Sequence, residues 1–159
     1  MADVRAQALI DQLALSPHPE GGWYRRLYRS ATDVVGPAGP RAALTTIVYL
    51  LRAGETGRWH RVRADEAWHF YDGAPLDLWV ADAQLESIEA RRLGPVDLAL
   101  PVSVVPAGCW QAARSQGDYS LVGCTVAPGF EFADFTLLAD DASLSDRLRR
   151  SHPEHTDLF

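Results

Sequence analysis

Two residues have the types and spacing for acid–base chemistry. His60 and Glu66 lie in Gly54-Glu-Thr-Gly-Arg-Trp-His60-Arg-Val-Arg-Ala-Asp-Glu66-Ala-Trp-His-Phe-Tyr-Asp-Gly73. An imidazole titrates near neutrality and serves as a general base; a carboxyl group beside it orients the ring or acts as an acid. Alternate residues of a strand share a face, so His60 and Val62 point the same way. The chain then turns, and Glu66 returns on the neighbouring strand facing the same interior. Carboxylates are rarely fully buried without a partner. Glu66 therefore pairs either with His60 in a pocket or with an arginine such as Arg25 or Arg58 in a purely structural ion pair.

Further polar and aromatic side chains are candidates for holding a ligand: Thr46, Trp68, His69, Phe70, Trp79, Gln111 and Glu20. Trp68 and Phe70 share Glu66's parity and line a cavity or pack in a core. His69 has the opposite parity and faces a second layer or a dimer contact unless a bulge intervenes. Gln111 follows the turn Pro106-Ala-Gly108 beside Trp110. Trp79 offers a stacking surface and Thr46 a hydroxyl. Glu20-Gly21-Gly22 is a turn before a strand that should border the mouth of the pocket. Cys109 reads as a weak nucleophile candidate and Cys124 as core. His152 and His155 form an HxxH in what reads as a solvated tail.

The elements that must position these groups are short strands. Ala2 to Leu15 reads as an amphipathic helix through Val4, Ala8, Leu9 or Ile10, and Leu13, ended by Ser16-Pro17-His18-Pro19. Strands are then expected over Trp23 to Ser30, Leu44 to Leu51, Arg58 to Val62, Ala67 to Tyr71, Leu76 to Ala81, Gln84 to Leu93, Val102 to Val105, Cys109 to Arg114, Ser120 to Val126 and Phe132 to Leu137. Gly36 to Pro40 reads as a loop. A short helix over Leu144 to Arg150 takes Ser143 as its N-cap. Many short strands between turn signals make a sandwich or barrel, so the fold class is all-β.

Composition narrows the function. The 159 residues read as a single domain, 1–159, with its barrel over about 23–138. A net charge of −6 disfavours nucleic acid and anionic membranes as partners. All 15 basic residues are arginine, so neither a Schiff-base lysine nor a P-loop lysine is present. Two cysteines make no disulfide framework, and with no apolar leader the chain reads as cytoplasmic.

The stretch from Gly54 to Gly73 resembles the first cupin motif, G(X)5HXH(X)3,4E(X)6G, with Val62 in the place of its second histidine. Pro106-Ala-Gly-Cys-Trp-Gln111 resembles the second, PXG(X)2H, with Gln111 replacing the histidine; Leu100 and Ser115 stand where that motif has a glycine and an asparagine. His18-Pro-Glu-Gly-Gly-Trp-Tyr-Arg25, Tyr28-Arg-Ser30, Thr45-Thr-Ile-Val-Tyr-Leu50, Glu66-Ala-Trp-His-Phe70 and Val122-Gly-Cys-Thr-Val-Ala-Pro-Gly-Phe130 look like the cupin-5 family, from about Leu9 to Leu137. The resemblance implies a double-stranded β-helix (jelly-roll barrel) with short N- and C-terminal helices, a homodimer, and a fold similar to that of dTDP-4-keto-sugar epimerases. It implies no settled activity; a small-molecule ligand is expected instead from the aromatic and hydrogen-bonding residues above and from the habit of small β-barrels to hold one ligand inside. A cupin metal site offers three histidines and a glutamate. Here only His60, Glu66 and the amide of Gln111 remain, a poor set for divalent iron, nickel, zinc or manganese. The reading is therefore a metal-free pocket for a small polar ligand such as a sugar or sugar nucleotide, with isomerisation or epimerisation as the candidate reaction. A metal-dependent enzyme and a non-catalytic binding dimer are the rivals.

Overall fold

The computed structural model describes residues 2–36 and 38–159. Helix α1 (Ala2–Leu13) precedes strands β1 (Ser16–Pro17), β2 (Trp23–Arg29), β3 (Asp33–Gly36), β4 (Gly39–Ala42), β5 (Thr45–Arg52), β6 (Thr56–Arg61), β7 (Asp65–Gly73), β8 (Leu76–Ala81), β9 (Ile88–Leu93), β10 (Val102–Val105), β11 (Trp110–Ser115), β12 (Tyr119–Ala127) and β13 (Thr136–Leu137), and helix α2 (Ala142–Ser151) follows. The strands form a six-stranded sheet in the order β1-β2-β5-β12-β7-β10, a five-stranded sheet in the order β13-β6-β11-β8-β9, and the hairpin β3-β4.

The two larger sheets close on each other because alternate residues of each strand are apolar. Tyr49 and Leu51 of β5, Trp68 of β7, and Val122 and Cys124 of β12 meet Leu76, Leu78 and Val80 of β8 and Ala113 of β11 in one buried cluster. Burying each large apolar side chain contributes about 1.5–3 kcal/mol, so this cluster is what holds the two layers together. The outward residues of β5, Val48 and Leu50, are buried as well, because α1 lays Ala6, Leu9 and Ile10 across them. β5 is therefore apolar on both faces and reads as an unbroken run. On the outer face of the five-stranded sheet Leu148 of α2 joins Trp59, Trp110, Leu85 and Leu138.

Several boundaries differ from the sequence reading. α1 ends at Leu13, where Ala14 turns to φ 52° and the Leu15 N–H returns to the Ile10 carbonyl at 2.9 Å. Val4 and Ala8 lie on its solvent side, since the helix is rotated to bury Ala6, Leu9 and Ile10. Most of the expected loop from Gly36 to Pro40 is instead strand, Gly36 ending β3 and pairing with Gly39 while Pro40 of β4 pairs with Val35; Pro37 lies outside the described residues. Residues 84–87 form a turn rather than the start of a strand: the Asp82 carboxylate accepts the N–H groups of Gln84 at 2.9 Å and Ser87 at 2.6 Å. Asp141, not Ser143, caps α2 by accepting the Leu144 N–H at 3.0 Å. Phe132–Asp134 is a 3-10 turn, and only Thr136–Leu137 pairs with β6.

Candidate functional site

Register explains why the imidazole and carboxyl groups converge. His60 pairs with Gln111 across β6 and β11, and Glu66 pairs with Val126 across β7 and β12. Both side chains point between the sheets, into a chamber lined also by His18, Glu20, Tyr24, Thr45, Ile47, Val62, Cys124, Val126, Phe130 and Phe135. The chamber is narrow, about 40 Å³, enough for roughly three waters when each needs about 10–15 Å³.

The Glu20-Gly-Gly22 turn does more than border the mouth. Gly21 and Gly22 have φ of +108° and +71°, and a side chain on Gly21 would collide with the Thr56 carbonyl. Only glycine lets the turn press so closely against β5 and β6. The Arg58 N–H donates to the Glu20 carbonyl at 2.8 Å and the His18 N–H to the Gly22 carbonyl at 2.9 Å. The result is a Glu20 side chain inserted into the barrel, 6% exposed, with Oε2 3.0 Å from His60 Nε2 and 3.5 Å from His18 Nδ1.

Hydrogen bonds assign the protons. His60 Nδ1 lies 2.7 Å from the Arg58 carbonyl, which can only accept, so Nδ1 carries the hydrogen. Nε2 of neutral His60 then faces Glu20 with its lone pair. His18 Nδ1 accepts the Glu20 N–H at 3.1 Å, so neutral His18 carries its hydrogen on Nε2. Burial sets the charges: it raises the Glu20 carboxyl to about 8, opposed by the neighbouring Tyr49 hydroxyl, which itself donates to the Gly21 carbonyl at 2.8 Å, and by the charge of Arg58. Burial likewise raises Glu66 to about 7, opposed by His60 and reinforced by Glu20. The same loss of solvent lowers His60, and lowers His18 to about 3 with help from His60. At neutral pH Glu20 is a neutral acid donating to His60, and Glu66 stands near its midpoint. The two imidazoles sit among aromatic rings: His60 stacks on Phe135 at 5.5 Å between centroids, and Tyr24 is 4.5 Å from His18.

Gln111 is fully buried behind Glu66 and does not line the chamber. Its Oε1 accepts the Trp68 indole N–H at 2.8 Å, and its Nε2 donates to Glu66 Oε2 at 2.6 Å. It is thus a clamp that fixes Glu66. Trp68 holds the other end of that clamp, packed edge-on against Tyr49 at 5.9 Å. Neither arginine pairs with Glu66: Arg25 donates to the Leu13 carbonyl, and Arg58 to the carbonyls of Glu20 and Pro19.

The remaining candidates fall elsewhere. Thr46 has the wrong parity; Thr45 and Ile47 line the chamber, while the Thr46 hydroxyl accepts from Thr125 at 3.2 Å on the outer face. No bulge rescues His69, which pairs with Gly123 and Val102 on that same outer face. Phe70 packs against the core between the sheets, and Trp79 packs beside the C-terminal helices, 5.9 Å from His155. Cys124 is core but also lines the chamber, its thiol against Glu66 and pushed well up, chiefly by burial. The Cys109 thiol, in a surface hollow beside Asp82 and Arg91 with no histidine, is also pushed up by burial and stays protonated. His18 was not among the site candidates; its signals were its place at the head of the family-like stretch His18 to Arg25 and its separation of two residues from Glu20 in a turn.

The residues do not fit the metal site that this fold class commonly carries. Val62 stands on the chamber wall where a second imidazole is needed. Gln111 turns its lone-pair oxygen to Trp68 and presents N–H hydrogens to the Glu66 side, so it cannot ligate there. Among the described residues no three of His, Cys, Asp and Glu are arranged to hold a metal ion.

Two apposed antiparallel sheets with an imidazole and a carboxyl group between them define a cupin. More narrowly, residues 7–138 match the family model Cupin_5, described as Cupin superfamily (DUF985), and the chain belongs to that family. It is similar to a hypothetical protein from Leishmania major (30% identity, 96% of each chain, TM-score 0.83). A Shewanella oneidensis protein is similar at 36% identity over 95% of this chain and 92% of that one (TM-score 0.80). Oxalate decarboxylase from Bacillus subtilis shares the fold alone, at 12% identity over 90% of this chain and 36% of that one (TM-score 0.58). No curated protein matches the chain.

Proposed function

We propose that the protein binds a small polar carbonyl compound, a sugar or sugar nucleotide being one such class, and moves a proton next to the carbonyl without a metal. The observation that carries this reading is the buried Glu20–His60 hydrogen bond of 3.0 Å facing Glu66 across a chamber open to one ligand end. Ionised Glu66, held by Gln111, takes the proton from carbon. Glu20, protonated at neutral pH and oriented by His60, gives its own proton to the carbonyl oxygen or to the opposite face of the carbon and is left as a carboxylate, while Glu66 holds the proton taken from carbon. A carboxyl held by Gln111 and a second carboxyl hydrogen-bonded to His60, facing one chamber, are an acid and base pair suited to isomerisation or epimerisation. His60 thereby shares the proton with Glu20 rather than with Glu66, and Glu66 becomes the base.

The test is deuterium exchange. The protein is incubated in D2O with a panel of 2-oxo acids and keto-sugars, and the loss of the proton alpha to the carbonyl is followed by NMR. The parent should exchange at least one compound, E66Q should lose about a hundredfold or more, and chelator treatment should leave the rate unchanged. Exchange that stops with chelator and returns with a divalent cation would establish the metal-dependent alternative. No exchange with any compound would favour a non-catalytic binding protein, and equal exchange by E66Q would remove Glu66 as the base.

A further inference from the structure

The chamber is too small to hold a whole sugar or nucleotide, yet a much larger cleft adjoins it. That cleft measures about 390 Å³ and is lined by Ser16, Tyr24, Arg25, Arg26, Thr45, Ile47, Phe130 and Phe132. Four of these, Tyr24, Thr45, Ile47 and Phe130, also wall the chamber, so the two spaces adjoin across shared side chains. The charge of the cleft opposes that of the protein: its lining has two arginines and no carboxylate, whereas the chain carries −6. Glu131, between the lining phenylalanines, is exposed and does not line it.

The two arginines are not equivalent. Arg25 is committed to the Leu13 carbonyl at 2.9 Å. Arg26 pairs with Ile47 across β2 and β5 and so shares the face of the cleft wall. Among the described residues Arg26 makes no hydrogen bond or ion pair of its own. A guanidinium fork with free donors beside an aromatic wall, at the entrance to a chamber of neutral acids and bases, is suited to an anionic oxygen group. The wall is furnished by Phe130 and Phe132, whose ring centroids are 4.9 Å apart.

We propose that the ligand is an organic anion whose phosphate or carboxylate group is held at Arg26 in the outer cleft while its neutral polar end enters the chamber. This rests on the reading that the chamber takes the reacting end of a ligand, and it adds how the rest is recognised. Arg26 is a specificity-determining residue placed outside the acid–base groups. Attraction by an exposed arginine is screened by salt, so the preference for anions weakens as ionic strength rises.

The test uses three ring-bearing probes: phenyl phosphate, benzoate and the neutral benzyl alcohol, each titrated into the protein with amide NMR detection. One or both anions should bind about fivefold or more tighter than benzyl alcohol and shift the amides of Thr45, Ile47 and Phe130. R26Q should remove most of that preference, and R26K, which keeps the charge but loses the fork, should retain part of it. Tight binding of phenyl phosphate alone or benzoate alone identifies the anionic group. The proposal is overturned if benzyl alcohol binds as well as the anions, if R26Q leaves the preference intact, or if the shifted amides lie elsewhere. Anion preference at Arg26 without proton exchange on any compound would sink the catalytic reading alone, and proton exchange without any anion preference would sink this proposal alone.

Discussion

Replacing Gln111 by leucine tests whether this residue clamps Glu66. The side chain is fully buried and has two partners, Trp68 Nε1 at 2.8 Å and Glu66 Oε2 at 2.6 Å. Q111L leaves a buried indole N–H and a buried carboxyl oxygen unsatisfied, at about 1–3 kcal/mol each. Burial of the leucine returns about 1.5–3 kcal/mol. The net loss should be about 2 kcal/mol by urea or thermal unfolding, which for a domain of this size lowers Tm by about 4–8 °C. W68F supplies the control, because it removes the indole donor and leaves only Gln111 Oε1 unpaired. In the double variant the orphaned indole is gone, so the combined cost should fall short of the sum by about 1–2 kcal/mol. The Gln111 hydrogen bond also favours ionised Glu66, so Q111L should move that carboxyl further above its value of about 7. A neutral Q111L, or strictly additive costs, would refute the clamp.

Stability should form a dome with pH. Glu20 and Glu66 have raised folded values of about 8 and about 7, so the stability they contribute is complete below the unfolded carboxyl value and is lost as pH rises through 7 and 8. His18 is lowered to about 3, so its contribution is complete above the ordinary imidazole value and is lost as pH falls toward 3. Urea unfolding should show its maximum near pH 5–6, and stability still rising at pH 9 would contradict the burial of neutral acids. The implied homodimer would cover the outer sheet face where Tyr71, Val102 and Val104 are exposed. Light scattering should give twice the mass of the chain, falling to one chain in V102E/V104E; a monomeric parent removes this expectation.

The barrel was legible because strand alternation, β-branched runs and glycine or proline turns act over a few residues. Leu44 to Leu51 and Ser120 to Val126 carried their strands to within a residue or two, since both are central and largely buried. His60 and Glu66 were placed correctly by parity and one turn. What escaped was long-range pairing. Parity puts Thr46 and His69 on the outer face, but only register across β5, β12 and β7 shows that no bulge intervenes. Glu20 was visible as a turn residue, but that the turn pushes it onto His60 depends on Gly21 and Gly22 fitting against Thr56 and Leu50. Gln111 looked like a depleted ligand position. Its role as a tether needed Trp68, which lies on a strand far away in sequence. Asp82 drew residues 84–87 into a turn by capping their N–H groups, a competition that strand propensity does not register.

The most direct measurement is a titration of the glutamate side-chain carbons and His60 ring nitrogens by NMR. Glu20 should keep its proton until about pH 8 and Glu66 until about pH 7, with His60 neutral and its hydrogen on Nδ1 throughout that range. Both carboxyl groups ionising in the ordinary carboxylate range, or a doubly protonated His60 at neutral pH, would contradict the buried acid–base pair on which the account rests.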